Sequence, residues 1–387
     1  MNWKVGLLGF LILSVWGCEP FFDPQDFVRR DAPVFHAAEI TEPPPVGEPA
    51  ELKVVAWNIK YGAARLPFWF DCWGDRVQMS EAEVEENMAG LYGMLNELDP
   101  DVLMVEEIEV NSRRSAYYNM VQGILDNTDL NYGAYHESWD SRYIASEGLG
   151  RMNLGMAMFS KYPIDKAENI KQEERTDLDA LTHPFYIKRV IGRSELALGE
   201  DRRVAAYVVH TEAYDVDGTK QKQIAQIFEE VLESAKELPV LVGGDFNELP
   251  PTAVLKEGFE DERTTAVCGG DFEQPPYTPE VLDPFYETLI PAIPLERIGT
   301  TLEEQQRYYT HTVLGPDQEN EAGEAGAWSR TLDYLFVSEG QWVPGTTDVI
   351  QTKGQRLGGE SGAGPVIESD AMLLSDHAPV VGTWEVP

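Results

Sequence analysis

Leu238-Pro239-Val240-Leu241-Val242-Gly243-Gly244-Asp245-Phe246-Asn247 is the stretch from which the fold is read. An apolar run ahead of a Gly-Gly pair, with polar side chains directly after it, is the pattern of a buried strand that delivers Asp245 and Asn247 to a sheet edge. The two-residue period of a strand places both on one face and turns Phe246 away from them. A carboxylate beside a carboxamide can hold a water and a phosphate oxygen. Asp and Asn also end strands as ordinary turn formers, so this stretch alone leaves both readings open.

The chain has 387 residues, enough for one large core, and the expectation is a single catalytic domain with long loops. Its 30 basic and 67 acidic residues give a formal charge of −37. Such a surface repels polyanions at long range, so unaided nucleic-acid binding is disfavoured unless a local basic cleft exists. A bound divalent cation can reverse the local potential, so a nuclease is not excluded.

The N-terminus reads as an export signal: Lys4, then an apolar core from Val5 to Val15 too short to span a bilayer, then Gly17-Cys18. Val15-Trp16-Gly17-Cys18 resembles a bacterial lipoprotein cleavage box, with Trp16 bulkier than that pattern usually carries. The expectation is a signal peptide over residues 1–17, a lipidated Cys18 anchoring the chain to a bacterial membrane in the cell envelope, and an extended tether over residues 18–50. A plain secretory peptide with an incidental cysteine is the alternative. Pro43-Pro44-Pro45 suits the tether. Cys72 and Cys268 remain; in an oxidising envelope they could pair, and neither has the spacing of a zinc site.

The catalytic domain is expected over residues 51–387. Residues 52–58 read as a strand ending in Asn58, followed by an aromatic loop over residues 65–75 that could form one lip of a cleft. Ser80-Glu81-Ala82-Glu83 is a capping box for a helix with Val84, Met88, Leu91 and Leu95 on one stripe, ending before Asp99-Pro100. Residues 101–107 read as a second buried strand with an acidic end, and 112–127 as a second helix. Further strands are expected at 151–160, 185–192 and 203–210, and an amphipathic helix at 221–238. Residues 256–310 suggest long surface loops. Strands resume at 331–337 and 380–385, separated by a Gly-rich, mobile-looking stretch at 354–364. No repeat of 20 to 50 residues is visible, which argues against solenoids and propellers.

Several apolar strands thus end in residues capable of chemistry: Asn58, Glu107, His210, Asp245 with Asn247, Asp333, and Asp376 with His377. Convergent carboxylates with two histidines and no Cys/His cluster favour a hard cation such as Mg²⁺, with Mn²⁺ or Ca²⁺ as substitutes, over structural zinc. A metal with a carboxylate-held water makes phosphoester hydrolysis the natural reaction class.

Trp57-Asn58, Val105-Glu106-Glu107, Val209-His210-Thr211-Glu212-Ala213, Gly244-Asp245-Phe246-Asn247, Thr331-Leu332-Asp333-Tyr334 and Ser375-Asp376-His377-Ala378-Pro379 occur in this order. The set resembles the endonuclease/exonuclease/phosphatase superfamily, in particular its deoxyribonuclease I-like and sphingomyelinase-like branches. The resemblance implies an α/β fold: a four-layer sandwich of two mixed β-sheets packed face to face, with helices on the outer faces and a cleft at one edge. It implies Glu107 as principal metal ligand, Asn58 as a second ligand or phosphate contact, and Asp376 near the metal. Glu106 stands where the family often has glutamine and is read as neighbouring the metal.

By the same resemblance Asp245 orients and deprotonates the attacking water, and Asn247 holds a non-bridging oxygen. His377 is the catalytic histidine and Asp333 fixes its tautomer and raises its pKa. His210 faces the phosphate, as in the two named branches. Asn153 and Arg189 are candidate phosphate contacts, the latter bidentate. His311 lines the cleft or sits on a loop, and the sequence leaves this open. His36, His136 and His183 carry no motif and are assigned no role.

The leading expectation is an exported, lipid-anchored, monomeric, Mg²⁺-dependent phosphodiesterase acting on phospholipid headgroups or small phosphodiesters. An extracellular nuclease and a phosphomonoesterase remain open on the same scaffold, as does a surface binding protein without turnover.

Overall fold

Two pairs of adjacent parallel strands, one in each of two sheets, set the architecture. The computed structural model describes residues 26–45, 47, 50–69, 71, 74–144, 148–214, 216–259, 261, 275–320, 322–357 and 364–387. In chain order the strands are β1 (Arg29–Asp31), β2 (Val34–His36), β3 (Ala50–Asn58), β4 (Val102–Glu109), β5 (Tyr132–Ile144), β6 (Gly150–Ser160), β7 (Ile164–Lys171), β8 (Val190–Ala197), β9 (Arg203–His210), β10 (Val240–Asp245), β11 (Ile290–Pro291), β12 (Asp333–Val337), β13 (Gln341–Trp342), β14 (Asp348–Val349) and β15 (Val380–Val386). The seven-stranded sheet runs β1-β7-β8-β9-β10-β12-β11; the eight-stranded sheet runs β13-β15-β3-β4-β6-β5-β2, with β14 also on β15. Among the strand pairs of the described residues, β3/β4 and β9/β10 are parallel and the rest antiparallel, so both sheets are mixed, as expected.

Alternation along the central strands explains why the sheets stack. In β9, Ala206 and Val208 join the core that holds Met104 and Leu103, while Ala205, Tyr207 and Val209 face the opposite side; Leu241 alternates with Val240 and Val242 in the same way. A strand buried on both faces reads as a near-continuous apolar run, which is why the sequence around Asp245 is so legible. The outer face of the seven-stranded sheet is covered by helix α3 (Thr219–Ser234) through Ile224, Ile227 and Val231. On the other side lie α1 (Glu81–Leu98) and α2 (Met120–Asn127). Helix α1 starts at Ser80 with the reciprocal capping box and ends at Asp99 in a left-handed conformation, φ 47°.

Several expectations are corrected. The second helix covers only Met120–Asn127, because Arg114 folds back onto the Glu109 carboxylate and Ser112 bonds to Asn153, drawing residues 112–115 into a loop. The strand expected at 185–192 begins at Val190, after a 3₁₀ turn at His183–Phe185. Strands β5 and β7 were not anticipated, since buried polar residues such as His136, Ser138 and Ser141 obscure the apolar period of β5. The chain before residue 50 is not all tether: β1 and β2 add one edge strand to each sheet, pairing with β7 and β5. Cys18, Cys72 and Cys268, the signal segment, and residues 358–363 of the Gly-rich stretch lie outside the described residues. Among the described residues no helix is long and apolar enough to cross a membrane.

Candidate active site

The carboxyl ends of the two parallel pairs meet at one end of the sandwich. Asn58 at the end of β3 is in register with Glu106 of β4. In the other sheet Asp245 is in register with His210 on one side and with Asp333 on the other, so these three side chains form a row across β9, β10 and β12. Gly244 makes this closeness possible: at φ 130° a Cβ there would stand 2.6 Å from Glu106 Oε1 and 2.2 Å from the Val209 carbonyl oxygen. The segment leading into β15 brings the last members, Asp376 and His377. It is pinned to β3 by Trp57 Nε1 donating to the His377 carbonyl at 2.8 Å and by Ser375 Oγ donating to the Asn58 carbonyl at 2.8 Å.

Bonds across the gap between the sheets complete the centre. His377 Nδ1 donates to Asp333 Oδ2 at 2.8 Å, which directs Nε2 towards the cleft, 3.7 Å from Asp245 Oδ2. Burial alone would lower the His377 pKa, and the Asp333 and Asp245 carboxylates overcome it and raise it to about 10. His377 is therefore a cation at neutral pH. Asp245 Oδ2 also accepts from Asn58 Nδ2 at 3.2 Å and lies 3.5 Å from His210 Nε2. Burial, then repulsion from Asp333, raises the Asp245 carboxyl to about 7, the range a general base needs. His210 is pushed well below its usual value by burial and by the Arg189 and His377 cations, so it faces the site as a neutral imidazole.

Asn247 reaches the site by a different route from the one its sequence position suggests. Strand β10 ends at Asp245, and Asn247 takes a left-handed conformation, φ 46°. Its backbone N–H donates to Asp245 Oδ1 at 2.8 Å and its Nδ2 to the Thr211 carbonyl at 3.1 Å. A turn around the Asp245 carboxylate, rather than strand alternation, sets it beside its partner. Phe246 does turn away, into the outer core against Phe285, Tyr334 and Phe336.

Glu107, Asn58 and Asp376 lie on the other flank. A bulge in β4 between Val105 and Ile108 and a left-handed Glu107, φ 55°, aim its carboxylate outward to within 3.4 Å of Asn58 Nδ2. Burial, then the Asp376 charge, raises the Glu107 pKa. Burial also acts to raise Asp376, and Lys60, His377 and Arg65 outweigh it and hold that carboxyl below its ordinary value. A buried Asp245, Asp333 and His377 group also has ligand atoms within 4.8 Å of one another. Asp333 Oδ2 and His377 Nδ1 already bond each other, however, so we favour the Glu107 flank for a cation. Its raised carboxyl, facing Asp376, is the mark of a site with more negative than positive charge, and the all-oxygen donor set suits a hard divalent ion.

Arg189 stands directly before β8 and is 8% exposed. Its Nε has no hydrogen-bond partner, and among the described residues the guanidinium makes no ion pair, while its charge acts on both His210 and Glu107. Asn153 is engaged within its own sheet: Oδ1 accepts from Tyr135 Oη at 2.6 Å and Nδ2 donates to Glu137 at 2.9 Å. His311 packs its ring against His377 at 4.6 Å between centroids, so it belongs to the cleft rather than to a distant loop. Two neighbours, Lys60 and Asp71, were missed by sequence reasoning, while Glu106 was expected to neighbour the metal. Glu106 lies fully buried beneath Asp245 and Asp333 with both carboxylate oxygens unbonded, and burial, then those two charges, raise its pKa well above normal. Lys60 and Asp71 form a buried ion pair beside Asp376. Only the two-residue step from Asn58 to Lys60 could have signalled the last.

A family model described as the Endonuclease/Exonuclease/phosphatase family matches residues 55–377. No curated protein matches the chain. Among solved structures, the endonuclease/exonuclease/phosphatase from Bacteroides vulgatus is 13% identical with a TM-score of 0.49, over 87% of this chain and 100% of that one. The human Nocturnin catalytic domain with bound sulfate anion is 16% identical with a TM-score of 0.48, over 92% of this chain and 98% of that one. Truncated Caenorhabditis elegans TDP2 is 16% identical with a TM-score of 0.45, over 87% and 98%. The family model spans every strand end that contributes to the site, and the chain accordingly belongs to the Endonuclease/Exonuclease/phosphatase family and is a phosphoester hydrolase.

Proposed function

We propose that the protein is an exported, lipid-anchored, Mg²⁺-dependent phosphodiesterase whose substrates are phospholipid headgroups or other small phosphodiesters. The observation that carries the reading is the buried, unpaired Arg189 guanidinium beside His210, across from a carboxylate, Asp245, raised to about 7. A buried cation without a protein counter-charge is stable in an active site when a substrate anion supplies that charge.

Glu107, Asp376 and the Asn58 side-chain carboxamide oxygen would hold the ion. When bound, it would supply Lewis-acid polarisation of a phosphoryl oxygen, offsetting negative charge on the oxygens and making the phosphorus more electrophilic towards an incoming water. The protein side of the reaction follows from the geometry. Asp245 Oδ2, ringed by Asn58 Nδ2, His210 Nε2 and His377 Nε2, accepts the proton of the attacking water. His377, held protonated by Asp333, donates from Nε2 to a phosphoryl oxygen as negative charge builds. His210 and Arg189 donate to the remaining oxygens.

Charge favours a diester over a monoester and a small substrate over a polyanion. A monoester carries about −1.5 to −2 near neutrality. Of the neighbouring Lys and Arg side chains, Lys60 is paired with Asp71, Lys188 lies by Glu174 and Arg175 is bound to Asp177, leaving Arg189 with the His377 cation to meet the substrate under a net charge of −37. The Lys4 to Cys18 pattern supports export and anchoring, tested by fatty-acid labelling of the chain and its loss in Cys18→Ser.

The reaction is tested by comparing bis(p-nitrophenyl) phosphate, p-nitrophenyl phosphate, sphingomyelin and duplex DNA, each with Mg²⁺ and with EDTA. Diester and lipid hydrolysis that needs the metal, above monoester and DNA, is expected. Rapid DNA cleavage with the lipid untouched would make it a nuclease, and monoester preference a phosphatase. No turnover in the folded protein would leave a binding protein.

A further inference from the structure

Asn58 is followed by a strained stretch of backbone. Lys60 and Tyr61 are consecutive non-glycine residues with φ 45° and 43°, a left-handed pair that costs about 1–2 kcal/mol per residue and persists only where contacts over-determine it. The contacts are specific. The Lys60 N–H donates to Asn58 Oδ1 at 3.0 Å, and its ammonium, with a side chain 4% exposed, lies 2.7 Å from Asp71 Oδ2 and 3.5 Å from Asp376 Oδ2. The strain is thus spent on holding one positive charge against two carboxylates at the edge of the Glu107 flank. Tyr61 adds a second observation: its hydroxyl is buried, has no hydrogen-bond partner among the described residues, and senses Asp71, Glu107 and Asp376.

We propose that the Lys60 ammonium takes the place of a second cation, so that this centre binds one divalent ion and not two. In two-metal phosphoesterase sites the ions sit about 3.5–4 Å apart and share carboxylates. The Asp376 charge acts on both Glu107 and Asp71, and its Oδ2 already lies 3.5 Å from the ammonium. Asp71 Oδ2 is likewise taken, by Lys60 Nζ and by the Phe68 N–H at 3.2 Å. A fixed ammonium also differs from a mobile ion in function. It keeps Asp376 oriented whether or not metal is present, and needs no second binding event before turnover.

This inference rests on the metal-dependent reading above, and the test separates the two. Mn²⁺ is titrated into the full chain, with free ion followed by electron paramagnetic resonance and stoichiometry by calorimetry. The wild type is expected to bind one equivalent. Lys60→Gln, which frees Asp71 and Asp376, is expected to gain a second, weaker equivalent, and Lys60→Arg, which keeps the charge, to stay at one. Two equivalents in the wild type would overturn the proposal without any variant needing to fold. So would one equivalent in a folded Lys60→Gln protein, which would reduce Lys60 to a pin for the 65–75 loop. No Mn²⁺ binding by the wild type would fail the metal-dependent reading itself, and this inference with it.

Discussion

Replacing Arg189 with methionine should make the protein more stable and much less active. An arginine that serves the fold is bonded to something, and its removal destabilises. Arg189 is 8% exposed with Nε unbonded and no ion pair among the described residues, so the folded protein bears a desolvation cost that the attraction of Glu107 relieves in part. Methionine keeps the apolar stem in place and removes the charge. We expect a gain of about 1 kcal/mol, smaller than the full cost of burying an ion because Glu107 offsets part of it. At about 2.1 cal/mol/K per residue that is a rise of about 1–2 °C in Tm for a domain of this size. In catalysis the variant loses a bidentate charge-assisted donor to the phosphoryl oxygens, about 3–4 kcal/mol of transition-state stabilisation, or ~10²–10³ in kcat/KM. Calorimetry without substrate and steady-state kinetics on bis(p-nitrophenyl) phosphate read both quantities on one preparation. A fall in Tm with kcat/KM intact would show that Arg189 is a structural residue and that the phosphate assignment is wrong.

Asp333→Asn should cut kcat by at least ~10²-fold and change its pH profile. The wild-type His377 stays protonated to about 10, whereas without the carboxylate partner its pKa falls and activity should decline as pH rises above neutrality; an unchanged profile would dismiss the pair. His136 is buried between the sheets, bonded to Asn169 and Ser194, with its pKa lowered by burial to about 4. The unfolded chain binds the proton first, so this contribution is complete above pH 6.5 and declines towards pH 4, by about 3 kcal/mol in total. A urea-unfolding series over that window should be flatter in His136→Gln. Glu106 has the opposite sign. Its folded pKa is raised, so it erodes stability as pH climbs above 4.5, with a slope of at most about 1.4 kcal/mol per pH unit, and Glu106→Gln should gain on the wild type over the same climb. An equal pH dependence in the two proteins would count against a buried protonated acid.

The strands that carry the chemistry were legible because they are buried on both faces. Residues 204–209 and 240–244 are apolar without interruption up to His210 and Asp245, so the strand and the functional residue at its end are read together. The α1 helix was legible because Ser80 and Glu83 cap it as their spacing requires. What stayed hidden depends on the partner rather than on the local pattern. Strand β5 has an apolar face interrupted by His136, which pairs with Asn169 and Ser194 far along the chain. Asn247 depends on a left-handed turn, and the Lys60–Asp71 pair on a loop folding back over the site. The short strands β1 and β2 have no periodicity of three residues or fewer to read, and exist because sheet edges at β7 and β5 accept them.

Asn58 and Asp245 belong to different sheets, and His377, in the segment leading into β15 of one sheet, bonds Asp333 of the other; the sheets touch through side chains such as Met104, whose sulfur would stand 3.0 Å from a Cβ at Gly243. The packing between the layers therefore acts as a spacer whose thickness is gauged by the catalytic hydrogen bonds. Trimming or swelling that filling by a methylene should detune the reaction through misalignment while the protein still melts as one unit, so damage to function would arrive well before damage to the fold.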